Sequence, residues 1–154
     1  MRAVVQRVLR ASVTVEAAGH HADIGHGLCV LLGVMEGDTQ REAAWIAAKL
    51  ANLRIFPDDD DRMNRTVRDI GGAILLVSQF TLAGDCSRGN RPSFATAAHP
   101  AAAEPLYEQV GQLLETEHQL PVKYGQFGGL MQVELVNDGP VTLIIDRPPT
   151  VNDG

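Results

Sequence analysis

Apolar and polar residues alternate or cluster along the chain in patterns that predict mostly β-strands. Ser12–Glu16 alternates as a half-buried strand does, whereas Leu28–Val34 and Ala73–Val77 are continuous apolar runs, typical of strands covered on both faces. The histidine-containing stretch 19–27 is predicted to be a hairpin connection. In total, strands are predicted at 3–8, 12–16, 28–34, 73–77, 131–135 and 141–145.

Two amphipathic helices are predicted between these strands. Thr39 and Glu42 have the spacing of a capping box, and apolar residues follow them at helical intervals as far as Leu53. The second helix is predicted to begin within 100–105 and to end before Pro121. Because each helix has one apolar face, both are expected to pack on the sheet.

These elements together predict one α/β domain, a mostly antiparallel β-sheet with two packed helices. The domain is assigned to residues 1–146, and no internal repeat or linker divides it. The Pro-containing C-terminal tail, residues 147–154, has little to bury and is predicted to be flexible. A length of 154 residues is enough to bury a core without disulfides.

Composition is that of an ordinary globular protein, with 45% hydrophobic and 21% charged residues. No apolar stretch is long enough for a membrane span, and arginines interrupt the apolar N-terminus, which is not typical of a signal peptide. The two cysteines, Cys29 in an apolar run and Cys86 in a polar loop, do not form a disulfide framework. A reduced, cytoplasmic protein is therefore expected.

The formal net charge of −6 argues against a long nucleic-acid interface, because proteins that track phosphates usually carry a basic surface. DNA binding is therefore not expected. Contact with a short nucleic-acid end, or with a small molecule, is compatible with this charge.

Neither cluster of candidate metal ligands has a recognisable coordination pattern. His20, His21 and His26 lie in the predicted connection, and 58–61 is a run of four aspartates without the glycine and glutamate pattern of an EF-hand. Both clusters are interpreted as solvated loops, so no metal or cofactor is expected. No glycine-rich phosphate loop precedes either helix.

The motif Ser78-Gln79-Phe80-Thr81 introduces polar groups abruptly at the end of an apolar strand. Two hydroxyls, a carboxamide and nearby backbone N–H groups would suit an anionic transition state. Alternatively, the hydroxyls only satisfy backbone groups where the strand ends. No acid or base is evident beside the motif, so hydrolysis there would not use a side-chain triad. Cys86, with His99 as its base, is a second candidate nucleophile.

A second motif, Asn137-Asp138-Gly139-Pro140, interrupts an apolar run that resumes at Val141. Such residues usually form a turn between strands. Pro140 leads directly into β-branched residues, however, which places it at the first position of a strand or at a sheet edge. The residues alone leave open whether the Gly139–Pro140 peptide does more than make a turn.

With these two motifs, and with Gln6-Arg7-Val8 and Arg91-Pro92-Ser93-Phe94, the sequence resembles the D-aminoacyl-tRNA deacylases, or D-tyrosyl-tRNA deacylases, over nearly its whole length. It departs from them at Gly129, where alanine is more usual, and in the extension after Asp146. The resemblance implies their fold and their reaction, which is hydrolysis of D-amino acids, and also of mischarged glycine, from the 3′ end of tRNA.

The same resemblance implies a purpose for Gly139 and Pro140. In these enzymes the peptide is cis and projects from one subunit of a homodimer into the partner's active site. Its rigid carbonyls meet the α-amino group of the substrate, so an L side chain would clash, whereas glycine and D-residues fit. Substrate-binding roles are also implied for further residues, namely Arg7, Phe127, Met131 and Asn137. Arg7 is expected to brace the loop carbonyls, while Phe127 and Met131 would pack on the terminal adenine.

By the same resemblance, Ser78–Thr81 would form the opposite wall, with N–H groups near Gln79 and Phe80 as an oxyanion hole. The 2′-hydroxyl of the terminal adenosine would assist the attack of water. A competing mechanism makes Thr81 the nucleophile, although neither motif supplies an evident base. Two other functions stay open: a module that binds an aminoacyl or nucleotide group without turnover, and an esterase that uses Cys86.

Overall fold

The computed structural model describes residues 1–149, which fold into one α/β domain. The regular elements are, in chain order, β1 (Arg2–Val15), β2 (His20–Ile24), β3 (Gly27–Gly33), α1 (Gln40–Asn52), β4 (Phe56–Pro57), β5 (Met63–Arg65), β6 (Ala73–Ser78), α2 (Pro100–Thr116), β7 (Val122–Tyr124) and β8 (Gln132–Asp146). Short 3-10 helices follow β1 and β6, at Glu16–Ala18 and Phe80–Ala83. The predicted fold class, a sheet with two packed helices, is confirmed.

The main sheet combines an antiparallel part and a parallel part. Strand β1 pairs antiparallel with β2, β3 and β8, whereas β6 pairs parallel with both β3 and β7. Two parallel neighbours need a long connection between them, and the two helices lie in these connections: α1 between β3 and β6, and α2 between β6 and β7. The helices therefore follow from the parallel part of the sheet.

One sequence-based prediction was wrong in the stretch 19–27, which was expected to be only a connection. Residues His20–Ile24 form β2 and pair with β1, from Val15↔His20 to Ala11↔Ile24. The turn itself is much shorter and includes Gly19 in a left-handed conformation, with φ of 61°. Ala22 and Ile24 face the interior between exposed neighbours, which is the alternation expected of a strand.

The break expected at 137–140 is not a turn between two strands. Both halves of β8 pair with β1, from Thr14↔Gln132 at one end to Arg2↔Asp146 at the other. The register shifts between Gln6 and Arg10, opposite the 137–141 segment, so this part of β8 bulges away from a strand that otherwise continues. The motif therefore sits in the middle of a long edge strand.

One face of the sheet is covered by the helices and forms the main core. Helix α1 begins with the predicted capping box of Thr39 and Glu42, and it buries Ala43, Ile46 and Leu50. From α2, Ala103, Tyr107, Val110 and Leu114 join the same cluster. Within residues 1–149, neither helix is long and apolar enough to cross a membrane.

The other face of the sheet carries a smaller apolar cluster to which, within residues 1–149, no helix contributes. Its buried members are Val8, Ala11, Val13, Ala22, Ile24, Cys29, Leu75 and Val77. At its margin, Val4 pairs with both Leu31 and Ile144. Val4 and Leu31 are half-buried and Ile144 is 73% exposed, so an apolar row remains open to solvent on this face.

The first tail residue, Arg147, is held to the start of β1. Its N–H donates to the Met1 carbonyl at 2.8 Å, and the Met1 amino group donates to the Arg147 carbonyl at 2.6 Å and to Asp38 Oδ1 at 2.6 Å. Residues 150–154, where most of the predicted flexible tail falls, lie outside the described residues.

Candidate active site

The Ser78–Thr81 motif lies where the chain leaves the main sheet at the end of β6. Ser78 is the last residue of β6 and lies beside Leu32 of β3. The Gln79 N–H extends the parallel ladder by donating to the Leu32 carbonyl at 2.8 Å. This N–H is therefore already bonded. The next main-chain donor along the chain is the N–H of Phe80, the first residue of the following 3-10 helix.

The side chains of this motif are arranged on an exposed surface. Gln79 Nε2 donates to Thr81 Oγ1, which leaves the hydroxyl proton of Thr81 free to donate elsewhere. Phe80 is 60% exposed and rests edge-on against Phe94, with ring centroids 5.2 Å apart. Within residues 1–149, no histidine or carboxylate hydrogen-bonds to Thr81. The motif thus presents donors without a side-chain base.

The second motif displays a short stretch of exposed main chain. Gly139 and Pro140 are both exposed, and the peptide bond between them is cis. Gly139 has φ of +132°, and a Cβ there would lie 2.8 Å from Val141 Cγ2 and 3.1 Å from a guanidinium nitrogen of Arg7. Only glycine satisfies both the conformation and the space. Asn137 supports the bend, since its Oδ1 accepts the Val141 N–H at 2.9 Å.

Arg7 is a buried residue on β1 that holds this segment. Its Nη1 donates to the Ile55 carbonyl at 2.6 Å, and its Nε lies 3.1 Å from the Asp138 carbonyl and 3.2 Å from the Asp138 carboxylate. The main-chain carbonyl that Arg7 contacts is that of Asp138, directly before Gly139, and not a carbonyl of Gly139 or Pro140. The guanidinium fork links the segment before Gly139 to the chain that follows α1.

Phe127 and Met131 lie in the connection between β7 and β8, beside the Ser78 end of β6. The Gly125 N–H donates to the Leu76 carbonyl at 3.0 Å, which continues the β6–β7 pairing into this connection. Phe127 packs against the Tyr107 ring at 5.8 Å, and Met131 packs against the helix-free cluster. Both side chains are half-buried, so part of each is open to solvent.

The two motifs do not meet within one chain. Ser78 lies beside Leu32, which is opposite Ala3, whereas Gly139 bulges opposite Arg7. That offset of four residues corresponds to about 13 Å along β1. Strands β1 and β3 stand between β8 and β6, which adds about 14 Å across the sheet. One protomer alone does not place them around one ligand.

The histidines and aspartates that were weighed as metal ligands have separate partners. His20 Nε2 lies 2.8 Å from the Tyr124 carbonyl, and His21 Nδ1 lies 2.9 Å from Thr14 Oγ1. Asp58 caps the turn after β4 by accepting the N–H groups of Asp60 and Arg62. Within residues 1–149, no three histidine, cysteine or acidic side chains group as a metal site.

Three contributors to the second motif were not identified from the sequence. The sequence indicates Asp138 only as a member of the second motif, with no role of its own, and His26 only as one of three loop histidines. The Ile55 carbonyl, which accepts from Arg7, has no sequence signal at all, because any residue supplies a carbonyl.

Comparison with solved structures identifies the class of fold. The structure of a c-Myc DNA unwinding element binding protein superposes with a TM-score of 0.86, with 45% identity over 96% of this chain and 99% of that one. A structure described as a probable eukaryotic D-amino acid tRNA deacylase gives a TM-score of 0.81 over 95% and 98% of the two chains. At 16% identity, this second likeness concerns the fold alone.

Sequence comparison identifies the family. The family model described as D-Tyr-tRNA(Tyr) deacylase matches residues 4–146. The D-aminoacyl-tRNA deacylase of Chlorobium limicola is 57% identical over 96% of this chain and 98% of its own length. That of Halalkalibacterium halodurans is 51% identical over 95% and 99%. The chain therefore belongs to the D-Tyr-tRNA(Tyr) deacylase family, and it is an ester hydrolase of the D-aminoacyl-tRNA deacylase class.

Proposed function

We propose that this protein hydrolyses the ester that joins a D-amino acid to the terminal adenosine of tRNA, and that it spares the L-form. Glycyl-tRNA is proposed as a further substrate, because glycine has no side chain to be rejected. Family membership over residues 4–146 supports the reaction, and the exposed, tightly held Gly139–Pro140 main chain supports the selectivity. This quality-control function would be carried out in the cytoplasm.

The selectivity is proposed to arise from rejection. Arg7 holds the main chain before Gly139 and Asn137 holds it after Pro140, so the segment between them would not yield to an L side chain, whereas a hydrogen atom would fit in the same place. The direct test compares release of D-tyrosine and L-tyrosine from tRNA by the purified protein, with a divalent-metal chelator in a parallel reaction. Equal rates for the two forms would disprove the filter, and loss of activity on chelation that metal restores would disprove metal-free chemistry.

The active site is proposed to be shared across a homodimer. The two motifs lie on different strands of one chain, about 13 Å apart along β1 alone, so a second copy must bring its Gly139–Pro140 segment to Ser78–Thr81. The open apolar row that includes Ile144, on the helix-free face, offers a surface for that copy.

Charge placed on this row tests the dimer. Ile144→Glu should yield a monomer by light scattering and remove deacylation, because burying a carboxylate between apolar surfaces is costly. Met63→Glu is the matched control, since Met63 is a 53% exposed apolar side chain on β5 and outside the main sheet. An Ile144→Glu monomer with full activity would show that each chain has a complete site.

Catalysis is proposed to use main-chain donors and the substrate itself. Water adds to the ester carbonyl with the 2′-hydroxyl of the terminal adenosine assisting, and N–H groups from Phe80 onward stabilise the oxyanion. The C–O bond to the 3′ oxygen then breaks, which releases the amino acid and leaves the tRNA with a free hydroxyl. Ser78 and Gln79 position the carbonyl, while Phe127 and Met131 pack against the adenine.

The role of Thr81 separates this mechanism from its competitor. Thr81→Ala should retain substantial activity, because a lost supporting hydrogen bond worth about 1–2 kcal/mol costs roughly ten- to thirtyfold. A tRNA ending in 2′-deoxyadenosine should be cleaved far more slowly by the unaltered enzyme. An inactive Thr81→Ala variant together with normal cleavage of the deoxy substrate would identify Thr81 as the nucleophile.

The two alternative functions are tested in the same assay. A module that only binds an aminoacyl or nucleotide group would retain charged tRNA without releasing amino acid. An esterase that uses Cys86 would lose activity on Cys86→Ser, whereas the proposed mechanism leaves that variant active. Cys86 is exposed in the loop after the 3-10 helix and has no partner in the proposed chemistry.

A further inference from the structure

The carboxylate of Asp138, directly before Gly139, faces two basic side chains. Arg7 Nε lies 3.2 Å from Asp138 Oδ2, and His26 Nε2 lies 3.7 Å from the same oxygen. The arginine is charged at all relevant pH values, whereas histidine changes its charge between about pH 5 and 8. One of the two electrostatic contacts to this segment therefore depends on pH.

His26 is held in place by the surrounding fold. Its carbonyl accepts the Ala73 N–H at 3.3 Å, at the start of β6. Its ring packs edge-on against the fully buried Phe56, with centroids 5.3 Å apart and planes at 80°. Because Ile55 accepts a hydrogen bond from Arg7, the adjacent residues 55 and 56 support both basic groups. The imidazole thus packs on a buried aromatic ring and faces Asp138, with 45% of the His26 side chain exposed.

We propose that His26 is a positioning residue for the Gly139–Pro140 segment, through its contact with Asp138. The inference rests on the proposed function for its effect on selectivity, but not for the contact itself. When the imidazole is protonated, Asp138 has two cationic partners and the segment is held more firmly. When it is neutral, Arg7 alone remains. Rejection of L-aminoacyl-tRNA is therefore expected to be stronger when the imidazole carries a proton than when it is neutral.

Within residues 1–149, two charged groups are the electrostatic partners at this site. His26 Nε2 and Arg7 Nε approach the same oxygen, Asp138 Oδ2, at 3.7 Å and 3.2 Å, so the guanidinium also lies near the imidazole. Phe56 and Ala73, the contacts from β4 and β6, are uncharged.

The test uses variants that separate the charge from the ring. His26→Phe keeps an aromatic ring against Phe56 but carries no charge, whereas His26→Lys carries a charge at both pH values. His21→Phe is the matched control, because His21 lies 3.7 Å from Asp23 in a similar pair on β2, away from this segment. For each protein, the ratio of D-tyrosine to L-tyrosine release from tRNA is measured at about pH 6 and about pH 8. The ratio cancels the pH dependence that both esters share.

The unaltered protein and His21→Phe should discriminate about two- to fivefold better at the lower pH, the range expected for a partly exposed ion pair. His26→Phe should show no change and should match the unaltered protein at the higher pH, while His26→Lys should stay selective at both. Equal pH profiles for His26→Phe and the unaltered protein would overturn the proposal.

A second measurement is independent of catalysis. Hydrogen exchange of the Val141 amide, which is bonded to Asn137, is compared between the unaltered protein and His26→Phe at each pH. Exchange should be about two- to fivefold faster in His26→Phe at the lower pH and equal at the higher pH. Equal exchange at both would overturn the positioning role even if deacylation is observed. The expected exchange difference without deacylation would locate the failure in the proposed function instead.

Discussion

Replacing Arg7 by lysine tests whether the guanidinium fork holds the Gly139–Pro140 segment. Arg7 is 9% exposed and bridges the Ile55 carbonyl to both the carbonyl and the carboxylate of Asp138. A lysine ammonium is a compact charge on a flexible stem, so it cannot reproduce the planar fork that spans these acceptors. Arg7→Lys therefore preserves the charge of the protein and removes the bridge.

The magnitude follows from what each acceptor loses. Ile55 is a buried residue, and a buried carbonyl left without a donor costs about 1–3 kcal/mol. Asp138 is partly exposed, with 31% of its side chain accessible, so water replaces part of that contact and its loss costs about 1 kcal/mol. Together, the free energy of unfolding should fall by about 2–4 kcal/mol. For a chain of this length, the melting temperature should fall by roughly 4–16 °C.

Urea unfolding at a fixed protein concentration measures the first effect, and release of D- and L-tyrosine from tRNA measures the second. Release of L-tyrosine should rise about tenfold, while D-tyrosine release should change much less, because the lost contacts hold the filter and not the Ser78 motif. Arg10→Lys is the control, since Arg10 lies on the same strand but is exposed. If Arg7→Lys matches Arg10→Lys in stability and selectivity, the bracing role is wrong.

Two further predictions concern stability and thiol reactivity. Gly27→Ala should lower the free energy of unfolding by about 3 kcal/mol or more in urea, because its Cβ would lie 1.9 Å from the Ala73 carbonyl oxygen and separate β3 from β6. Gly25→Ala, where nothing lies within 4 Å of the Cβ, should change stability by less than about 1 kcal/mol, and equal losses would contradict the clash. Burial raises the pKa of Cys29 to about 11, so at pH about 8 a thiol reagent should modify Cys86 and reach Cys29 only after unfolding. Rapid modification of two thiols in the folded protein would refute this.

The elements that the sequence predicted well are those with a local signal. The capping box of Thr39 and Glu42 depends on residues three positions apart, and both side chains make the expected contacts. The buried strands β3 and β6 were predicted because a continuous apolar run indicates a strand in a sheet that is buried on both faces. The helices bury one of these faces. Such features do not depend on distant partners.

The features that were missed depend on what lies opposite in space. His20–Ile24 has polar residues at alternate positions and two histidines, which suit a loop as well as an edge strand. Only the hairpin register with β1 decides between the two. In the same way, Asn137–Pro140 has the composition of a turn, and it becomes a bulge because both flanks pair with one long strand. Pairing partners are not encoded in local composition.

The residues of the candidate site divide in the same way, into those with a local sequence signal and those that depend on distant partners. The two motifs were recognised as units from their residues, and Arg7 was connected with the loop through resemblance. The Ile55 carbonyl and the His26 ring come from residues that are far from the motif in sequence. Ile55 directly precedes β4, and His26 lies between β2 and β3. A supporting group made from main chain, or from one histidine among several, has no signature that a single sequence reveals.

The proposed filter is made of main chain, so its selectivity would depend on the residues that hold it in place. The exposed Gly139 and Pro140 would contribute carbonyls, which carry no specificity of their own and would act only if they do not move. A displacement of about 1 Å would be enough to admit a wrong substituent, since contacts of this kind fall off over less than an atomic radius. In this proposal the stiffness comes from Arg7, Asn137 and Asp138, which hold the main chain on either side of Gly139 and Pro140. Substitutions in this support should first increase L-aminoacyl-tRNA hydrolysis, whereas substitutions in Ser78–Thr81 should slow both substrates together.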